Sequence, residues 1–147
     1  MLVRILALAL LLSSSVHASE DKRARVYKEV MPEYFPYAKC AAMSAAHYGL
    51  NEIYVLAVLL QERGPIKGRL PTKNGSFDYG VTGINTVREQ EIERIGLSLN
   101  QVGSNPCAAI HAAAYLLAEE IKEFEEVFQI ALAIKGADEF RSQGLQR

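Results

Sequence analysis

The feature that most constrains the fold is the apolar run Ile53-Tyr54-Val55-Leu56-Ala57-Val58-Leu59-Leu60, closed by Gln61-Glu62-Arg63-Gly64-Pro65. Asn51 ahead of it is a helix N-cap residue, Glu52 suits the positive helix pole, and Gly64-Pro65 stops a helix directly behind Glu62. The run predicts a helix ending near Glu62. Because it has hardly any polar face, so short a helix reads as buried. Glu62 follows Val55 by seven residues and Leu59 by three, so it shares their face. A carboxyl group is thereby offered at the end of a greasy rod, where desolvation and the negative helix pole both disfavour the carboxylate. A glutamic acid that keeps its proton can protonate a leaving oxygen. Position alone equally describes a solvated glutamate at a helix end.

The chain opens with Arg4, the apolar stretch Ile5 to Leu12, and then Ser13 to Ser15 and Val16-His17-Ala18. A basic start, a short apolar core and a small-x-small end read as a secretory signal peptide over residues 1–18. Export is expected, with one domain over residues 19–147. The apolar core is short for a bilayer span. Net charge is −1 for all 147 residues. Loss of Arg4 with the leader would change it only slightly, and no basic stripe points to nucleic acid or a membrane surface. The length suits one core, and little strand-like alternation outside the loop points to an all-α fold.

Ala38 to Tyr48 predicts the first firm helix, stopped at Gly49, with Ala41, Ala42, Ala45 and Ala46 allowing close approach of a neighbour. His47 reads as a residue favoured at a helix C-terminus, and no second ligand stands at metal spacing beside it, so neither a metal nor a cofactor is expected. Cys40 and Cys107 are the only cysteines. In an exported chain they form one disulfide or remain two buried thiols. Thr86 is read as capping a helix to Ile95 with Val87, Ile92 and Ile95 inward and Arg88, Glu89, Glu91, Glu93 and Arg94 solvated. Asn105-Pro106 starts a long helix in which His111 and Tyr115 are packed. A separate helix is expected around Val127 to Ile134, followed by a polar tail from Asp138.

The loop after Glu62 leads into Asn74-Gly75-Ser76-Phe77-Asp78-Tyr79-Gly80-Val81-Thr82-Gly83-Ile84-Asn85. Together with Glu62, this segment resembles the lytic transglycosylases of conjugation, type IV secretion and pilus systems, small goose-lysozyme-like enzymes. Their pattern is an apolar helix ending in a catalytic Glu, a loop, and Asn-Gly-(Ser/Thr)-(Tyr/Phe)-Asp-x-Gly-x-Met-Gln-Ile-Asn. The resemblance covers nearly all of residues 19–147, with a Cys before the helix and an Asn-Pro-Cys later.

The resemblance implies an all-α, lysozyme-like helical domain with a long substrate-cleft loop, and Glu62 as sole acid/base. It implies Asp78, Tyr79, Gly80, Ile84 and Asn85 along the substrate, a Cys40–Cys107 disulfide, and peptidoglycan glycan strands as substrate. Components of a secretion, conjugation or pilus machine are the implied partners. Asp78 is expected to orient the loop through backbone hydrogen bonds. In the same loop Lys67, Arg69 and Lys73 are candidates to meet anionic peptide stems. The chain departs from the pattern at Thr82-Gly83, where the family has Met-Gln, and at Ile134, where a Tyr is sought, while Phe128 stands for a family aromatic. Two other readings stay open: a catalytically weak peptidoglycan-binding assembly component, and a hydrolase that uses Asp78 as a second carboxylate.

Overall fold

In the computed structural model, residues 24–25 and 27–144 are described, with side chains as far as Ile130. The signal-peptide segment lies outside the described residues, and the side chains of Ile134 and of the tail from Asp138 are outside what is described. A helical lead-in over 27–30 runs into a 3-10 segment, Pro32–Tyr37, and then α1, Ala38–His47. The second helix is α2, Glu52–Glu62. Three short strands follow: β1 Arg69–Pro71, β2 Phe77–Tyr79 and β3 Ile84–Asn85. The short helices α3, Glu89–Glu93, and α4, Leu99–Ser104, precede the long α5, Pro106–Gly144.

The architecture is mostly helical, but the loop carries an antiparallel sheet in the order β1-β2-β3. Arg69 pairs with Tyr79, and Tyr79 with Ile84 on its other side. The expectation of a mainly helical fold holds, with a small sheet added whose strands of two and three residues show no readable alternation.

Small residues set the closest packing. Ala41, Ser44 and Ala45 of α1 are buried, as are Ala109, Ala112 and Ala113 of α5, and the two helices lie against each other. The Cys40–Cys107 disulfide joins them, with Cα atoms 5.4 Å apart. At the far end of α1, Tyr48 Oη lies 2.8 Å from His111 Nε2. Val55 and Leu59 of α2 enter the same core with Tyr34, Val81, Ile92 and Ile110. Full burial of one such leucine is worth about 1.5–3 kcal/mol.

Burial holds His111 below the usual imidazole range, and the nearby His47 adds to the shift in the same direction. Its neutral form is the one that fits the fold. In the unfolded chain the ring takes its proton near the ordinary value of 6.5. His111 therefore contributes stability in full above that pH. The contribution is lost as pH falls from about 6.5 through the lower folded value. Chemical denaturation at pH 7.5 and pH 5 should show a smaller acid-side loss in His111→Gln than in the parent. Equal losses in both chains would remove His111 as the cause.

Three expectations are revised by the packing. Helix α2 is not buried all round: Ile53 is 61 % exposed, Tyr54 52 % and Leu60 39 %. Val87 is exposed rather than inward, because Asn85, not Thr86, caps the turn, and Thr86–Arg88 winds as 3-10 before α3. Helix α5 runs unbroken through the region read as a separate helix. No Pro or Gly lies between Pro106 and Gly136 to stop or kink it.

Candidate active site

The corner that carries Glu62 is built from backbone outward. Asn51 Oδ1 accepts from Ile53 N at 3.1 Å and starts α2. At the other end Arg63 adopts a left-handed conformation, φ 43°, the only non-glycine with positive φ among the described residues. It takes the cap role that the sequence assigned to Gly64. Its amide bonds Leu59 O at 3.2 Å, and its Nε donates to Leu60 O at 3.2 Å. A left-handed non-glycine costs roughly 1–2 kcal/mol. Strain of this kind beside an acid is a recurrent mark of functional corners.

Gly64 then docks on the turn after β2. Its amide donates to Val81 O at 3.1 Å, and a Cβ on Gly64 would stand 2.1 Å from Gly80 O. Tyr34 Oη donates to Gly64 O at 3.3 Å from the 3-10 segment. The opposing atom is backbone, so no rotamer change relieves the clash. Gly64→Ala should cost about 3 kcal/mol, combining overpacking with a lost hydrogen bond. The contrast is Gly75→Ala, where φ is 85° and nothing lies within 4 Å. That change should cost only about 1–2 kcal/mol. Urea denaturation of the two variants checks the order, and equal costs would refute the docking argument.

Glu62 ends on this turn. Its Oε2 would be 3.0 Å from a Cβ on Gly83, which holds φ +59°. Glu62 is an exposed residue, not the covered one that its apolar neighbours in the sequence suggest. Thr82, the neighbour of Gly83, turns the other way: it is 3 % exposed and its hydroxyl donates to Ala109 O at 3.0 Å. Gly83 therefore leaves open the space beside the acid that a side chain would fill.

The five residues expected along the substrate do not share one surface. Ile84 is 5 % exposed and belongs to the core. Gly80 is buried, with a would-be Cβ 2.5 Å from Val102 O, so its role is close approach to α4. Asp78 and Asn85 bond each other: Asn85 Nδ2 donates to Asp78 Oδ1 at 2.6 Å and to Ser76 Oγ at 2.8 Å. Asn85 Oδ1 also accepts from Val87 N at 3.2 Å. Asp78 thus orders the loop through a side-chain amide, not through the backbone bonds expected. Tyr79 is half-buried, and its hydroxyl accepts from Arg69 Nη1 at 2.8 Å.

With this geometry in place, similarity to known proteins is informative. The chain is similar to Protein IpgF of Shigella flexneri. The two are 31 % identical over 83 residues, 56 % of this chain and 55 % of that protein. Protein IpgF of Shigella sonnei is 31 % identical over 90 residues, 58 % of this chain and 59 % of its own length. The chain thus spans somewhat over half the length of the curated relatives it matches. No protein-family model matches it.

Among the described residues no three His, Cys, Asp or Glu side chains are grouped to hold a metal. The chemistry on offer is that of one exposed carboxyl at a helix end, on a turn fixed by glycine contacts. Of the loop cations named from the sequence, Arg69 is held: it sits over Phe77 with its guanidinium carbon 4.0 Å from the ring centre. The sequence reading missed one contributor. Helix α4, capped by Ser98 with Gln101 reaching back, presses on Tyr79 through Gly103. The Ser-x-x-Gln capping box was the signal that could have revealed α4.

Proposed function

We propose that the chain is a periplasmic, lysozyme-like lytic transglycosylase that cuts the MurNAc–GlcNAc bond of peptidoglycan with Glu62 as its sole acid and base. The observation that carries this reading is the seat of the Glu62 carboxyl against Gly83, within the segment that bears the motif. One carboxyl in that place suffices for the chemistry. Glu62 protonates the glycosidic oxygen as the C–O bond breaks and charge builds on the sugar carbon. The 6-hydroxyl of the same N-acetylmuramic acid then attacks that carbon and returns its proton to Glu62. A 1,6-anhydro end forms, no water is consumed, and the acid regains its starting state.

The exposed carboxyl of the free chain fits a site closed by its ligand. A glycan laid over Glu62 and Gly83 would exclude water from the acid and favour its protonated form. Asp78 is held by Asn85, which supports a structural role and disfavours a two-carboxylate hydrolase. Service to a secretion, conjugation or pilus machine is part of the same proposal and follows from the motif resemblance.

Mass spectrometry of muropeptides released from purified sacculi tests the reading. Anhydro ends are expected. Reducing ends would transfer the reaction to a hydrolase. Failure to release any fragment would favour the second reading, a wall-binding assembly component, for which the absence of a side chain at Gly83 is the favouring observation.

A further inference from the structure

On the hairpin, Arg69 is the cation that the structure holds in place. Its guanidinium lies 4.0 Å from the centre of the Phe77 ring and 5.7 Å from that of Tyr79. One N–H donates to the Tyr79 hydroxyl at 2.8 Å. It has no carboxylate partner among the described residues. Lys67 and Lys73, in the same loop, are exposed and carry no such clamp. A guanidinium fixed by stacking and one hydrogen bond keeps its remaining N–H fork ready for an anion at little further ordering cost.

Arg69 opens onto a recess of about 380 Å³ lined also by Gly68, Tyr79, Asn100, Gly103 and Ser104. Its floor is glycine because the hairpin and α4 meet there: Gly68 N donates to Gly103 O at 2.6 Å, and a Cβ on Gly103 would come within 2.9 Å of the Tyr79 ring. The Ser104 hydroxyl donates to Asn100 O at 2.7 Å, which leaves its oxygen as an acceptor toward the recess. The lining offers one cation, one side-chain amide and acceptor oxygens beside an aromatic wall. A single positive charge with the Gly68 amide already committed suits a carboxylate better than a doubly charged phosphate.

We infer that this recess is a subsite for a carboxylate on the peptide portion of a peptidoglycan strand, with Arg69 as its anion-binding residue, an inference that rests on the wall-active reading above. Tyr79 is the positioning residue: it holds the guanidinium and forms the side wall.

The probe is a synthetic stem tripeptide, alanyl-γ-glutamyl-diaminopimelic acid, titrated into the Glu62→Gln chain and followed by NMR of Arg69, Tyr79 and Asn100. Saturable shifts at these residues are expected, with at least about tenfold weaker binding of the fully amidated tripeptide. Arg69→Gln should lose binding by a similar factor. Arg69→Lys should also lose it, since an ammonium keeps the charge without the stacked fork. No binding, equal binding of acid and amide, or unchanged binding in a folded Arg69→Gln chain would overturn the inference. The experiment is separable from catalysis. Tripeptide binding without anhydro products from sacculi would sink the enzyme and leave the subsite, while anhydro products without tripeptide binding would do the reverse.

Discussion

Glu62→Gln is expected to abolish release of anhydro-ended fragments from sacculi, with a rate loss of at least about 10³-fold and no change in melting temperature. Both halves follow from where the side chain sits. It is exposed at the end of α2, and no hydrogen bond among the described residues depends on its charge, so an isosteric amide leaves the packing intact. The amide can neither give a proton to the leaving oxygen nor take one from the attacking hydroxyl. General acid–base catalysis is worth about 10²–10⁴-fold per proton transfer, and here one group performs both. Asp78 cannot stand in, because its carboxylate is bonded to Asn85. Retention of a tenth of the parent rate in the glutamine variant would move the acid elsewhere. Loss of rate together with a lower melting temperature would make Glu62 structural.

The exposed carboxyl also changes how the site is understood to work. Glu62 is exposed to water until something covers it. On α2, Ile53, Tyr54 and Leu60 also remain outside the core. Ile53 and Leu60 lie about half a turn around the helix from Glu62, so their exposure is separate from that of the acid.

Those residues also show what the chain discloses in its sequence and what it does not. Local signals were readable where the physics is local: Asn51 as cap, the stop behind Glu62, and Asn105 Oδ1 accepting from Cys107 N at 3.0 Å just ahead of α5. The burial of α2 was not readable, because hydropathy says which residues seek cover and not whether neighbours exist to provide it. The sheet escaped notice because β3 has two residues and β1 is exposed throughout. Ile84 and Gly80 fall within the motif, yet they serve the core and the α4 contact. A motif fixes a segment's shape as well as its chemistry, and the sequence alone does not separate the two. Arg69 could be named as a cation but not as a held one, since its clamp depends on the register that sets it opposite Tyr79.

Removing the Cys40–Cys107 bond is expected to destabilise the domain by about 4 kcal/mol and lower its melting temperature by roughly 10–20 °C. The bond closes a loop of 67 residues that contains α2, the hairpin and most of the core-bearing turns. Chain entropy in the unfolded state rises steeply once such a loop is released. The native side adds a second, local consequence. The bond fixes one end of the contact between α1 and α5, and the Tyr48–His111 hydrogen bond fixes the other. Without the covalent tie, the small residues between them hold α1 only through van der Waals contact and burial. Cys40→Ala with Cys107→Ala avoids the free thiol that a single change would leave. Its urea midpoint should agree with that of the parent after reduction. A double variant within about 1 kcal/mol of the parent would show that the packing of α1 on α5 suffices, and that the bond adds little to the fold around Glu62.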